Sequence, residues 1–158
     1  MERDIMINTS MAGNKLFIDT GAFIAVTMEK DQEHNDAVIF LKEVTKNHII
    51  QITTNLILSE TYTFLRYHAH FDLALRFIGQ AKRAEKKGQL FVVYSEPALE
   101  DKAINILKKY YDLDISFVDA VSIAYLGIDD TVKDVFTFDH HFQISGKNIL
   151  PYKSVFEK

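Results

Sequence analysis

The run Leu16-Phe17-Ile18-Asp19-Thr20-Gly21-Ala22-Phe23-Ile24-Ala25 decides the fold. Three apolar residues, the length of a short buried strand, stop at an acid, and an apolar helical pattern starts at once. A strand that runs straight into a helix is half of a βαβ unit. Outward from it the alternation repeats: residues 16–18, 48–52, 90–94, 135–138 and, more weakly, 148–152 read as strands. Helical stripes occupy 21–28, 32–46, 55–69, 73–87, 97–111 and 117–126. Asp31, Thr54 and Asp72 read as N-caps, Ser95 as a cap before Pro97, and Ser116-Phe117-Val118-Asp119 as a capping box with Asp in place of Glu. Gly88 and Gly127 stand where a left-handed C-terminal residue belongs. Strands separated by helices need crossover connections, which imply a parallel sheet covered on both faces. The expected class is α/β.

Length and composition bound the rest. A chain of 158 residues, 47% apolar, with two Pro and six Gly, buries about two-thirds of its extended surface and supports one core. The expected organisation is a leader over 1–13, without period and flexible, followed by one domain over 14–158; the leader, with Met1, Met6 and Met11, is assigned no role. The lack of Cys excludes disulfide scaffolds, Cys-ligated zinc and thiol catalysis. Met1-Glu2-Arg3-Asp4 does not read as a signal peptide, and the longest apolar stretch, 115–128, is broken by Asp119 and too short for a bilayer. The expectation is a soluble cytoplasmic protein without a membrane partner. A net charge of -4 argues against binding nucleic acid through overall charge, so a polyanion needs a local patch or a metal.

The informative feature is where four acids sit, because an ionised carboxylate among apolar side chains is expensive unless paired, hydrogen-bonded or bound to a metal. Asp19 ends one strand and Asp139 follows another, so both project from carboxyl ends, the edge where open parallel sheets bind ligands. At roughly 100° per residue from Leu56, Tyr67 falls at about 20°, Glu60 at about 40°, Phe64 at about 80° and Ile57 at about 100°, which puts Glu60 inside an apolar stripe. Asp119 is the one charge from 115 to 128, in the first turn of a helix apolar nearly all round.

Each acid taken singly has a plainer reading. Asp119 complements a helix dipole, Asp19 and Asp139 suit turns or caps, and Glu60 suits a buried ion pair with Arg66 or Arg76. Four acids converging on one sheet edge make an oxygen-rich pocket that suits Mg²⁺ or Mn²⁺.

These residues carry a family resemblance. Ile18-Asp19-Thr20-Gly21-Ala22-Phe23-Ile24-Ala25, Thr54 with Glu60, Ser116-Phe117-Val118-Asp119-Ala120 and Thr137-Phe138-Asp139 with Phe142 resemble, in order, the four acidic motifs of PIN-domain nucleases. Among these the chain is most similar to the VapC-type toxins of prokaryotic toxin-antitoxin pairs, from about Lys15 to Tyr152. Gly21 departs from the pattern, since many members carry Ser there, leaving Thr20 as the hydroxyl near the metal. The resemblance implies a parallel sheet of four or five strands and a metal-dependent ribonuclease acting on single-stranded RNA, with a cognate antitoxin and a homodimer.

In that reading Asp19, Glu60, Asp119 and Asp139 hold one or two Mg²⁺ or Mn²⁺ ions, with Asp19 and Asp119 as direct ligands. A metal-activated water attacks the phosphodiester, and Thr20 and Thr137 orient water or phosphate. Two alternatives stay open: a PIN ribonuclease for RNA processing or decay, and a catalytically inactive PIN-like RNA-binding module.

Other fragments read as accidents or as structure. Asp19-Thr20-Gly21 matches aspartic proteases, but a helical pattern follows it; Asp139-His140-His141 matches DHH phosphoesterases, whose other motifs are missing. His140 and His141, as sequence neighbours, are not expected to face one site, so a loop role is favoured for them, with metal ligation as the alternative; His68 and His70, two apart on a helix, likewise diverge. Lys82, Arg83, Lys86 and Lys87 form a solvated helix end or, in the sharper reading, contact the RNA backbone.

Overall fold

The computed structural model describes residues 5–8 and 11–155, with side chains from 11 to 151; of the leader 1–13 and the domain 14–158, residues 1–4, 9–10 and 156–158 lie outside the described residues. Strand β1 (Ile5–Asn8) falls in the stretch where the sequence shows no period. β2 (Lys15–Ile18) leads into α1 (Thr20–Thr27) and α2 (His34–Lys46), then β3 (Ile50–Thr54), α3 (Asn55–His68), α4 (Phe71–Lys86) and β4 (Leu90–Val93). α5 (Pro97–Lys109) and α6 (Phe117–Ile128) precede β5 (Asp134–Phe136), a 3-10 turn (His140–Ser145), β6 (Asn148–Leu150) and β7 (Tyr152–Val155). The main sheet has five strands, all parallel, in the order β4-β3-β2-β5-β6; β1 and β7 form a separate antiparallel pair. The chain is thus α/β, as its alternation predicts.

Strand pleating divides the core. Leu16, Ile18 and Phe136 meet Ala22, Ala25, Ala37, Phe40 and Val44 of α1 and α2 on one face, where the Phe40 and Phe136 rings pack edge to face at 4.8 Å. Phe17, Ile52 and Val135 point the other way, onto Ile123 and Leu126 of α6 and onto Phe142. A third cluster joins α3 and α4 to β4 through Leu58, Leu65, Phe77, Leu90 and Val92. Each fully buried Leu or Phe in these layers is worth roughly 1.5–3 kcal/mol over leaving it exposed.

Helix starts follow local chemistry, with corrections. Thr54 caps α3 by accepting the Ile57 N–H at 3.1 Å, and Ser116 and Asp119 form the reciprocal capping box. Asp72 does not cap α4; the helix starts two residues earlier, on His70, whose ring accepts the Leu73 N–H at 3.2 Å. α2 starts after Glu33 rather than at Asp31, which instead accepts the Glu33 N–H at 2.8 Å. Ser95 stands one residue before the cap position Glu96, and its hydroxyl donates to Glu100. Gly88 takes the left-handed conformation, with φ 69°, whereas Gly127 lies inside α6, which ends only before Asp129.

One buried acid is structural. Asp134, fully buried at the amino end of β5, accepts N–H groups of Ala12 and Gly13 and the Asn148 side-chain amide, each at 2.8 Å. These bonds hold the entry to β2 against β5 and β6. Asp134→Ala leaves the donors without an anion and is expected to lower stability by about 3 kcal/mol, read as a shift in the urea midpoint at constant m.

Candidate active site

From β2 the chain crosses to β3 on one side and later enters β5 on the other, so the strand order reverses between β2 and β5. At such a reversal the helices leave on opposite faces, and the carboxyl ends of the strands open a crevice. Asp19, the N-cap of α1, stands at the end of β2, and Thr137 and Asp139 follow β5. The Asp19 N–H donates to the Phe136 carbonyl at 3.1 Å, joining the two strand ends. The buried Thr137 hydroxyl donates to Asp19 Oδ2 at 2.9 Å and accepts the Asp139 N–H at 3.0 Å, so one side chain fixes both acids. Thr53, buried on β3, braces the same strand end by donating to the Ile18 carbonyl at 2.9 Å.

Glu60 reaches this edge by a route that the helical arithmetic misplaces. The buried face of α3 is Ile57, Leu58, Thr61 and Leu65, and Tyr67 is 79% exposed, so Glu60 lies on the flank of the apolar face rather than inside it. From that flank it accepts a hydrogen bond from Thr20 Oγ1 at 2.5 Å. Among the described residues it forms no salt bridge with Arg66 or Arg76, and Arg66 lies over the Phe71 ring instead. Asp119 sits in the first turn of α6, where Oδ2 accepts the Ser116 N–H at 3.0 Å. Its capping role and its place at the crevice coexist.

The electrostatics tie three of the acids together. Asp19 is 4% exposed, and its pKa is pushed up to about 7, first by burial, then by the negative charge of Asp119, with a smaller contribution from Asp139. The Thr20 N–H and the Thr137 hydroxyl oppose this. Asp119 is likewise raised, by burial foremost and by Asp139, against its bonds to Ser116 and the pull of His141. Among the described residues Asp19 Oδ1 is the one buried side-chain oxygen or nitrogen left without a hydrogen-bond partner. An orphaned carboxylate oxygen beside two further acids fits a divalent cation, and the oxygen donors suit Mg²⁺ or Mn²⁺.

His140 and His141 do not diverge. Asp139 accepts the His141 N–H through Oδ1 at 2.9 Å, which starts the 3-10 turn and swings both rings toward the same carboxylate, with centroids 4.2 Å apart. An acid two residues before an amide that it can accept is the sequence signal for such a turn. Lys82 is also not a free cation: it donates to Glu85 Oε2 and to the Tyr94 hydroxyl, both at 2.7 Å, at the end of β4. A groove of about 950 Å³, bordered by Phe23, Val26, Phe77 and Leu90, is lined by none of the four acids.

No family model and no curated protein matches the sequence. Among solved structures, the chain is similar to VapC20 of Mycobacterium tuberculosis, a sarcin-ricin-loop-cleaving toxin, with 23% identity, a TM-score of 0.74, and coverage of 88% of this chain and 99% of that one. It is also similar to FitAcB from Neisseria gonorrhoeae, with 13% identity, a TM-score of 0.57, and coverage of 85% and 95%. At these identities the likeness is one of fold, and it spans nearly the whole chain in both comparisons.

Proposed function

We propose that this chain, with its VapC-type PIN fold, is a metal-dependent ribonuclease and the toxin of a toxin-antitoxin pair. The observation that carries the reading is Asp19: a buried carboxylate with an orphaned oxygen, at the strand reversal, facing two more acids. A fold alone never assigns a function, so the weight rests on these side chains. The likeness to a sarcin-ricin-loop-cleaving toxin supports RNA as the substrate class and the toxin setting. An antitoxin partner, a homodimer and a cytoplasmic location complete the proposal; among the described residues no helix is long and apolar enough to cross a membrane.

Asp19, Glu60, Asp119 and Asp139 would hold Mg²⁺ or Mn²⁺. When bound, the cation supplies an activated water and balances charge on the scissile phosphate. The protein's own work is positional. Thr137 fixes the spacing of Asp19 and Asp139, Thr20 orients Glu60, and the capping box holds Asp119 at the crevice. Thr20 and Thr137 are thus committed to carboxylates, and orienting water or phosphate is a second task proposed for them. Arg83, Lys86 and Lys87 remain the proposed backbone contacts at the end of α4, with Lys82 joining them only if its bonds to Glu85 and Tyr94 open.

The test is cleavage of single-stranded and structured RNAs by the purified protein with Mg²⁺, Mn²⁺ or chelator. Cuts that need metal and vanish with chelator are expected. Cleavage that persists in chelator would overturn the metal mechanism.

A further inference from the structure

We infer that Asp139, His140 and His141 form a separate site for a borderline-soft transition metal, Zn²⁺ by chemistry, at the rim of the acidic crevice. This goes beyond the ribonuclease reading and does not depend on it.

The three side chains offer donor atoms that all lie within 4.8 Å of one another. Nδ1 of His141 is 3.0 Å, and Nδ1 of His140 3.9 Å, from the same oxygen, Asp139 Oδ1. In a tetrahedral site with metal–ligand bonds of about 2.0–2.1 Å, donor atoms are separated by about 3.3 Å. The two observed separations bracket that value, and a ring donor of each histidine lies within 4.8 Å of the other. The Asp139 Oδ1 bond to the His141 N–H fixes the turn that presents both rings. An ion entering here takes the place of the hydrogen between Nδ1 and Oδ1, and the neutral ring keeps its one proton on Nε2, the tautomer that frees Nδ1 for the metal. Three protein donors and a water then make the common open zinc set.

The donor chemistry separates this site from the acidic crevice. Two imidazoles and one carboxylate suit Zn²⁺, whereas carboxylates alone suit Mg²⁺ or Mn²⁺. The two sites share Asp139, so an ion at the rim competes with the crevice for one ligand. His140, whose side chain is 82% exposed, has no packing role to explain its place over the neighbouring ring, while His141, 17% exposed, is held against Asp139.

The experiment is Zn²⁺ titration of the untagged full chain by calorimetry, with competition by a chelator of known affinity. Three variants accompany it: His140→Gln, His140→Gln with His141→Gln, and Asp19→Asn. The wild type is expected to bind one Zn²⁺ at this site. His140→Gln, at an exposed position where folding is safe, is expected to weaken it by about tenfold, and the double variant by ~100-fold. Asp19→Asn, which alters the crevice, is expected to bind Zn²⁺ within threefold of wild type. Equal Zn²⁺ affinity in wild type and His140→Gln overturns the proposal, as does loss of Zn²⁺ binding in Asp19→Asn, which would put the ion among the carboxylates. Both outcomes are read from Zn²⁺ affinity alone, so the failure of this proposal is distinguishable from the failure of the ribonuclease reading, which is read from RNA cleavage.

Discussion

Asp119→Asn is expected to slow metal-dependent RNA cleavage by ~10³-fold or more while the protein stays folded. A ligand to a catalytic cation contributes several kcal/mol to charge stabilisation, and about 4 kcal/mol corresponds to that factor. The fold survives because Asn still offers an oxygen to the Ser116 N–H and keeps its own N–H on Ser116 Oγ, so the capping box persists. What disappears is the charge that raises Asp19 and that, in the proposed mechanism, would meet the cation. The measurement is single-turnover cleavage under Mg²⁺ and under Mn²⁺, beside RNA affinity for both proteins. A variant that cleaves within tenfold of wild type would remove Asp119 from the chemistry. If both proteins bind RNA equally and neither cleaves, the inactive binding-module reading takes over.

Three of the acids are legible from the sequence because each stands where an apolar pattern has no use for a charge. Asp19 ends a buried strand, Asp119 opens a helix with six buried residues, and Asp139 follows a strand that is buried throughout. Local period does not carry sheet order, so the adjacency of β2 and β5, which brings Asp19 and Thr137 within 2.9 Å, had to come from the structure. Glu60 shows a limit of a different kind. Angular arithmetic gives relative positions on a helix, but an aromatic residue such as Tyr67 can mark an exposed face as readily as a buried one, and the buried stripe runs through Ile57, Leu58, Thr61 and Leu65 instead. The His140–His141 pair departs from its pattern for a third reason. Divergence of neighbouring side chains is a property of strands and helices, and the turn closed by Asp139 obeys neither rule.

Without metal, the wild-type protein is expected to lose about 4 kcal/mol of stability to Asp19 alone as pH rises from about 4 to about 8. The sign follows from linkage. Asp19 is raised from 3.8 to about 7 in the folded protein, so the native state holds this proton more tightly than the unfolded chain does. Below pH 3.8 both states are protonated and the contribution is fully present. Between 3.8 and about 7 it drains away at up to ~1.4 kcal/mol per pH unit, and above about 7 it is gone. Asp119, raised in the same direction, adds to the slope. The cost is the repulsion and desolvation of a carboxylate whose Oδ1 has no partner, which is what a cation would relieve. Mg²⁺ or Mn²⁺ should therefore stabilise the protein most above pH 7, where Asp19 is ionised, and little at pH 5, with the gain growing as the logarithm of metal concentration. Urea midpoints at pH 5, 6, 7 and 8, in chelator and in metal, for wild type and Asp19→Asn, isolate the residue from every other titrating group. The variant is expected to flatten the wild-type slope and to lose the metal gain. Parallel curves for the two proteins would mean that Asp19 is neither strained nor a ligand, and the crevice would lose the residue on which its chemistry rests.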